Sequence, residues 1–200
     1  MNFLAHLYLS GTKNNDVLLG NFSADFVKGK QKLDYEPAVQ KGFELHYFID
    51  NFTDTHLETK KACEILKNDF GRYAGVIVDV FFDHFLSKNF TQFHHEKIEI
   101  FAEKTYILLQ ENLFIFPEKL QEMLPYMINQ NWLVRYGDFG GLHKSLQGIT
   151  KRAKYAPDLT QSIAVLENQY KDFEECFFAF FPDVEKASKE KINILLDNFL

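Results

Sequence analysis

The sequence predicts an all-α fold: a single-domain multi-helix bundle that covers residues 1–200. From about residue 36 onward, apolar residues recur at intervals of three or four, the spacing of one helix face. The 5 Pro and 10 Gly are too few for a strand-rich fold, which needs a turn about every ten residues. The 22 Phe against 1 Trp favour a thick helical core. No repeat and no Pro-, Gly- or Ser-rich linker divides the chain.

The first elements are the least readable. In residues 1–35, the turn-rich segment 10–15 separates two short apolar runs. A clearer helix start follows, because Thr55 and Glu58 have the spacing of a capping box, with Thr55 as the N-cap. Asp54 is then expected in the joint between this helix and the previous one.

Prolines mark three further helix starts. Pro117, Pro157 and Pro182 each suit the first turn of a helix, where a missing backbone N–H costs nothing. In residues 158–181 the apolar positions again step by three or four. This pattern predicts an amphipathic helix over that range.

Segment 76–86 is open to two interpretations. Its β-branched and aromatic residues are typical of a buried strand. The apolar run is longer than a usual strand, however, and neither Gly nor Pro interrupts residues 76–86. Helix is therefore favoured.

Net charge and composition indicate which binding partners and which cellular location to expect. The formal net charge of −6 at pH 7 disfavours nucleic acid and anionic membranes as main partners, since both attract basic surfaces. No segment has the roughly 20 apolar residues that span a bilayer, and the N-terminus lacks the regions of a signal peptide. A cytoplasmic location is expected. Cys63 and Cys176 are then expected to be reduced thiols.

The strongest functional signal is the set of polar residues inside segment 76–86. Asp79, Asp83 and His84 lie among apolar neighbours on what is predicted to be a buried helix. A buried carboxylate costs on the order of several kcal/mol unless it is paired, hydrogen-bonded or metal-bound. Asp79 and Asp83, one turn apart, repel each other unless a cation lies between them. Ion pairs with basic residues of other helices would satisfy them as well as a metal would.

A second pair repeats this spacing upstream. His46 and Asp50 are four residues apart in an aromatic-rich helix, so one cation can be bound by both from one helix face. Asp54 follows one turn later. A histidine among aromatic residues is often a hydrogen-bonded core residue instead, and the spacing leaves both interpretations open.

Weaker candidates lie elsewhere in the chain. His6 is alone in an apolar run, and Asp25 could equally be an ordinary carboxylate at a helix end. A ligand set of oxygen and nitrogen atoms without thiolate suits Mn, Mg, Fe or Zn. Two basic clusters, 28–32 and 151–154, and Arg135 beside aromatic residues could contact anions or could be solvated surface charges.

Several of these segments together resemble one family, the bacterial acyl carrier protein phosphodiesterases. The matching residues fall in order over most of the chain and are Met1-Asn2-Phe3-Leu4-Ala5-His6-Leu7, Gly20-Asn21, Ala24-Asp25-Phe26-Val27, His46, Ile49-Asp50, Thr53-Asp54, Asp79-Val80, Asp83-His84-Phe85-Leu86-Ser87 and Trp132-Leu133-Val134-Arg135-Tyr136. The last helices match only in their apolar pattern.

The resemblance implies a fold related to the HD-type phosphohydrolases and a specific reaction. The enzyme would hydrolyse the phosphodiester between 4′-phosphopantetheine and a serine of holo-acyl carrier protein, with a divalent cation, typically Mn²⁺ and alternatively Mg²⁺ or Fe²⁺. The implied metal ligands are His46, Asp50, Asp83 and His84, followed by Asp25 and His6. Asp79 has no clear role in this scheme and is expected beside the ligands.

The resemblance also suggests catalytic and docking residues. An imidazole that is not a ligand, either His84 or His6, would protonate the leaving serine oxygen. Arg135 or the basic cluster 28–32 would hold phosphate oxygens. Because acyl carrier proteins are acidic, a basic patch is expected to bind them. The residues expected in this patch are Lys28, Lys30, Lys32, Lys151 and Arg152.

Two other functions remain open at this point. One is a phosphohydrolase of the same fold that acts on a small nucleotide or phosphate ester. The other is a helical binding protein without enzymatic activity, in which the buried acids form structural ion pairs. The oligomeric state is also open.

Overall fold

A computed structural model describes residues 1–197, and every regular element within them is helical, which confirms the all-α prediction. The α-helices are α1 Phe3–Leu9, α2 Asn15–Ser23, α3 Pro37–Thr55, α4 Leu57–Phe70, α5 Ala74–Lys88, α6 Phe90–Phe93, α7 Ile98–Glu111, α8 Glu118–Asn129, α9 Trp132–Arg135, α10 Phe139–Arg152, α11 Ser162–Asn168 and α12 Tyr170–Asp197. Short 3₁₀ helices are Ala24–Phe26, Gly29–Asp34, Gly71–Tyr73, Leu113–Ile115 and Leu159–Gln161. A kinship with HD-type phosphohydrolases stays a prediction.

Helix α5 is the central element of the core. Its apolar side chains are buried on nearly all sides, including Ile77, Phe81 and Phe85 at 0% exposure. It contacts α1, α4, α10 and α12. The helical interpretation of segment 76–86 is therefore confirmed, and the helix is buried because it is apolar around most of its circumference.

The joint between α3 and α4 differs from the prediction. Helix α3 continues through Thr55, and His56 rather than Thr55 is the N-cap of α4, its Nδ1 accepting a hydrogen bond from the Glu58 N–H at 3.2 Å. The Thr55 hydroxyl instead donates to the carbonyl oxygen of Asn51 at 2.7 Å. That bond within α3 prevents it from capping the next helix.

The prolines follow the predictions in part. Helix α8 begins directly after Pro117, and a 3₁₀ turn begins two residues after Pro157. Pro182 lies inside α12 rather than at a helix start. Between Phe181 and Val184, both buried at 0% exposure, packing of the apolar face outweighs the local cost of proline. The helix expected over residues 158–181 is interrupted at Gln169.

Helices α2 and α3 touch backbone to backbone. A Cβ atom on Gly20 would lie 2.0 Å from the Val39 carbonyl oxygen, and one on Gly42 would lie 2.3 Å from the Val17 carbonyl oxygen. Only glycine fits at either position. The close crossing places Asn21 of α2 beside His46 of α3.

Two further expectations concern thiols and membranes. Cys63 and Cys176 are free thiols, as predicted. Among the helices within residues 1–197, none combines the length and the apolar character needed to cross a bilayer.

Candidate active site

Helices α1 and α3 bring two imidazoles and a carboxylate together. The Nε2 atom of His6 lies 3.0 Å from Asp50 Oδ1, and Nε2 of His46 lies 3.1 Å from Asp50 Oδ2. The two rings stack with their centroids 4.1 Å apart. One donor atom from each of the three side chains lies within 4.8 Å of the others, close enough for one cation to be bound by all three.

Asn21 determines which ring nitrogens face Asp50. The Nδ1 atom of His46 lies 2.9 Å from the Asn21 backbone oxygen, and Nδ1 of His6 lies 2.8 Å from Asn21 Oδ1. The Asn21 amide nitrogen donates to the His6 backbone oxygen and to Ser10 Oγ, which leaves its Oδ1 as the acceptor. Both Nδ1 atoms therefore carry hydrogen, and the lone pairs of neutral rings lie on Nε2.

Asp25 adds a second carboxylate at the outer edge. Its Oδ1 lies 3.2 Å from His46 Nε2. The side chains of Asp25 and Asp50 are 72% and 39% exposed, whereas those of His6 and His46 are each 5% exposed. The site thus has a buried imidazole wall and an open carboxylate side from which a substrate can approach.

Without a bound cation, the histidines and aspartates of the site have shifted pKa values. Burial lowers the pKa of His46, but hydrogen bonds with Asp25 and Asp50 outweigh it and raise the pKa to about 9. Burial lowers the pKa of His6, although the nearby Asp50 carboxylate opposes this shift. Burial also opposes ionisation of Asp50, yet its hydrogen bond with His46, its contact with His6 and the Met1 ammonium hold its pKa well below the usual range. The metal-free group therefore holds an imidazolium between two carboxylates.

The Met1 ammonium group forms a second cationic centre beside Asp50. Its nitrogen lies 2.8 Å from Asp79 Oδ1 and 3.8 Å from Asp50 Oδ1. Burial alone would lower the pKa of this amine, but Asp79 and Asp50 raise it above its ordinary value. Asp79 was expected beside the ligands, and its ion pair with the Met1 ammonium holds it near Asp50.

Asp83 lies apart from the ligand group that was predicted to include it. Its Oδ2 accepts a hydrogen bond from the Leu4 N–H at 2.8 Å, and its Oδ1 accepts from those of Ala5 and Asn2 at 3.2 and 3.3 Å. Burial raises its pKa to about 7 against these donors and the Met1 ammonium. The carboxylate therefore binds the free N–H groups at the start of α1, which corrects its predicted role.

His84 is also placed elsewhere. Its Nδ1 lies 2.8 Å from the Tyr136 carbonyl oxygen and its Nε2 lies 2.9 Å from the Tyr170 hydroxyl. Both ring nitrogens have protein partners, and burial lowers the pKa of the ring. The structure does not bring His84 to His46 and Asp50, either as a ligand or as an acid, because its ring faces Tyr136 and Tyr170.

The predicted anion-binding residues fall into two places. Lys28 and Lys30 are exposed and Lys32 is half-buried, in and beside the 3₁₀ helix Gly29–Asp34. The Lys32 ammonium lies 4.2 Å from the centre of the Tyr47 ring. Tyr47 directly follows His46, so this cluster adjoins the site. The remaining three, Arg135, Lys151 and Arg152, line a separate cavity.

The donor set fits a divalent transition metal. Two imidazole nitrogens and one carboxylate leave positions open for water and substrate, as in catalytic mononuclear sites. Each imidazole also donates its other N–H to an oxygen of Asn21, the arrangement that orients histidine ligands. Asn21 was not among the residues singled out as functional from the sequence. The available signal was an asparagine in an apolar helix, now found at 0% exposure.

Comparisons with known proteins find one family. The profile of the family described as acyl carrier protein phosphodiesterase matches residues 1–184. A protein of that name from Photorhabdus laumondii is 34% identical over 96% of each chain. Proteins of the same name from Yersinia enterocolitica and Salmonella paratyphi A are 33% and 34% identical over 96% of this chain and 99% of theirs.

No solved structure matches this chain, so its assignment depends on the sequence comparisons. The family profile spans all the site residues described above, from Met1 to Arg152. The chain belongs to the acyl carrier protein phosphodiesterase family.

Proposed function

We propose that this protein is a metal-dependent phosphoric diester hydrolase that removes 4′-phosphopantetheine from holo-acyl carrier protein and leaves the apo carrier protein. The observation that carries the proposal is the convergence of His6 Nε2 and His46 Nε2 on Asp50 while both Nδ1 atoms bind Asn21. Family membership supplies the substrate class, since the relatives are named for acyl carrier protein.

His6, His46 and Asp50 are the proposed ligands, and Asp25 is the fourth candidate. Mn²⁺ is the proposed ion, as the family resemblance implies, with Fe²⁺ and Mg²⁺ as alternatives. Imidazole ligands suit Fe²⁺, and carboxylate and water ligands suit Mn²⁺ and Mg²⁺. Held by these side chains, a divalent cation would neutralise phosphate charge and would lower the pKa of a bound water.

The residues of the chain prepare the site for an anionic substrate. The Asn21 oxygens keep both rings in the tautomer whose Nε2 lone pair faces Asp50. The buried ring wall excludes water from one side, and the exposed carboxylate side leaves room for the phosphodiester. His6 is proposed as a ligand rather than as the acid, because its Nε2 atom points into the donor group.

Docking of the carrier protein is proposed at Lys28, Lys30 and Lys32. Lys28 and Lys30 are exposed and Lys32 is half-buried. Lys32 contacts Tyr47, the residue after His46, which supports docking at this edge. An acidic carrier protein would be attracted to this edge although the whole chain has a net charge of −6. Lys151 and Arg152 would act at the separate cavity described below.

The test is incubation of holo-acyl carrier protein with the purified enzyme and Mn²⁺, followed by the intact mass of the carrier. We expect loss of the phosphopantetheine mass with Mn²⁺ and no loss with a chelator or with Asp50→Asn. An unchanged carrier mass together with hydrolysis of nucleotides would favour the small-ester enzyme. Absence of bound metal, with no change in Tm on adding Mn²⁺, would favour the ion-pair protein.

A further inference from the structure

A cavity of about 350 Å³ lies beside the start of α1, between α9 and α10. This volume is near the lower end of the range for small-molecule sites, which suits a narrow ligand. Its walls are aromatic, aliphatic and neutral polar, and they include Phe3, Trp132, Tyr136, Ser145 and Ile149. Neither His6, His46 nor Asp50 lines it, so it is distinct from the ligand group.

The cavity nevertheless adjoins that group. Asn2 lines it, and Asn2 follows Met1, whose nitrogen lies 3.8 Å from Asp50 Oδ1. Standard bond lengths then place the Asn2 Cα atom at most about 9 Å from that carboxylate. The Phe3 ring forms a second connection between the cavity and the ligand group. Its centroid lies 6.4 Å from that of Trp132 and 5.7 Å from that of Phe22. Phe22 directly follows Asn21.

Neutral hydrogen-bonding groups are available in the walls. The Asn2 side-chain oxygen accepts from the Phe3 N–H, and the Gln130 side-chain oxygen accepts from the Trp132 ring N–H. These bonds leave the amide NH₂ groups of Asn2 and Gln130 as donors. Gln147 adds another amide to the wall. Such groups pair well with amides and hydroxyls of a ligand.

Basic side chains surround these neutral walls. Lys144, Lys151 and Arg152 are exposed, and Arg135 is half-buried. The one ion pair found for these four within residues 1–197 joins Arg135 to Asp138, at 3.4 Å. The charged groups thus lie mainly at the solvent side, where a partner protein with acidic residues would meet them.

We propose that this cavity holds the pantetheine arm of the substrate while the surrounding cations contact the carrier protein. The inference rests on the proposed function. The arm is a narrow chain with a dimethyl group, a hydroxyl and amides that ends in a thiol, which matches apolar walls with neutral donors. Fully extended, at roughly 1.2 Å per bond, it spans on the order of 15 Å, enough to reach the cavity from a phosphodiester at Asp50.

Gly148 offers a way to fill the cavity without disturbing the fold. It lines the cavity within α10, and a Cβ atom placed on it meets no atom within 4 Å. Gly148→Leu therefore adds volume to the cavity and replaces a helix-weakening residue by a helix former. The matched control is Gly75→Leu in α5. A Cβ atom there also meets nothing within 4 Å, and Gly75 does not line this cavity.

The first measurement uses pantetheine, which lacks the phosphate, with metal-free protein and ligand-observed NMR saturation transfer. We expect transfer with the wild type and with Gly75→Leu, and at least about a tenfold weaker affinity for Gly148→Leu. This readout needs no hydrolysis, so it can support the cavity assignment even if the proposed function fails. No transfer with the wild type, or equal affinity for Gly148→Leu, would overturn it.

The second measurement compares turnover of holo-acyl carrier protein with that of bis(p-nitrophenyl) phosphate, which has no arm. For Gly148→Leu we expect the ratio of the two kcat/KM values to fall at least about tenfold, and for Gly75→Leu we expect the wild-type ratio. An unchanged ratio for Gly148→Leu would contradict the inference. ADP binding is measured in the same way. If Gly148→Leu weakened the binding of ADP and left that of pantetheine unchanged, the cavity would be assigned to a nucleotide and the proposal overturned.

Discussion

The Nδ1 atom of His46 lies 2.9 Å from the backbone carbonyl oxygen of Asn21. A carbonyl oxygen can only accept, so the hydrogen must reside on Nδ1. The same residue, through its side-chain oxygen, binds Nδ1 of His6. One asparagine thus orients two imidazoles towards one carboxylate, and several predictions depend on this arrangement.

Replacing the Asn21 side chain should weaken the binding of metal without removing a ligand. Asn21→Ala leaves Nδ1 of the buried His6 without its acceptor, and loss of such a partner typically lowers metal affinity about 10–100-fold. Titration calorimetry with Mn²⁺ measures the effect, and Asn168→Ala, at an exposed position of α11, is the control. Equal Mn²⁺ affinity in Asn21→Ala and wild type would remove Asn21 from the site.

Two aspartates with different partners should give opposite phenotypes. Asp50→Asn removes a charged ligand, so we expect Mn²⁺ binding and turnover to be lost while the fold remains. Asp83→Asn puts an NH₂ group where backbone N–H groups need an acceptor, and we expect the free energy of unfolding to fall by about 1–3 kcal/mol with Mn²⁺ affinity retained. Denaturant melts and calorimetry on both variants decide this. Loss of Mn²⁺ binding in a stably folded Asp83→Asn protein would restore Asp83 as a ligand.

The stability of the metal-free protein should depend on pH through His46. Its pKa is raised from 6.5 to about 9, so the folded state binds the proton more tightly than the unfolded state. The resulting stabilisation is complete below pH 6.5 and disappears as the pH rises through about 9, with a size of at most about 3 kcal/mol.

Urea melts with a chelator, from pH 6 to pH 9.5, measure this dependence. His46→Gln should lack this component, so the free-energy difference between wild type and variant should shrink as the pH rises. A difference that stays constant with pH would show that His46 does not bind the extra proton.

Reversing the charges of the cluster beside Tyr47 should weaken carrier-protein docking. For Lys28→Glu, Lys30→Glu and Lys32→Glu combined, we expect a higher KM for holo-acyl carrier protein, a smaller dependence of KM on salt, and an unchanged kcat. The control reverses three exposed lysines elsewhere, Lys60, Lys97 and Lys119. If both triple variants raise KM equally, net charge rather than this cluster attracts the carrier.

The sequence predicted helices best where an apolar or helical pattern continued over many residues. Segment 76–86 was recognised as helical by its length, and His46 and Asp50 were paired correctly because both lie on one continuous helix, α3. Pro182 was misread as a helix start because local proline rules do not include the packing of Phe181 and Val184 on either side of it.

The ligand set was predictable only in part. The cost of burying a carboxylate correctly indicated that Asp83 needs a partner. It could not identify that partner as the start of α1, because α1 has only seven residues and its sequence pattern is too short to predict a helix. His6 meets Asp50 across 44 residues of sequence, and Asn21 joins both histidines through hydrogen bonds between separate helices. Contacts of this kind depend on how helices cross, which periodicity does not describe.

The crossing of α2 and α3 at Gly20 and Gly42 has a consequence for how variants of this protein will be interpreted. Neither glycine offers a functional group, yet a methyl group at either one would push Asn21 away from His46. A mutational survey scored by turnover alone would therefore rank both glycines with the metal ligands. Mn²⁺ affinity measured at a temperature where each variant is still folded would separate the two classes, because displacing Asn21 weakens Mn²⁺ binding whereas removing a ligand abolishes it.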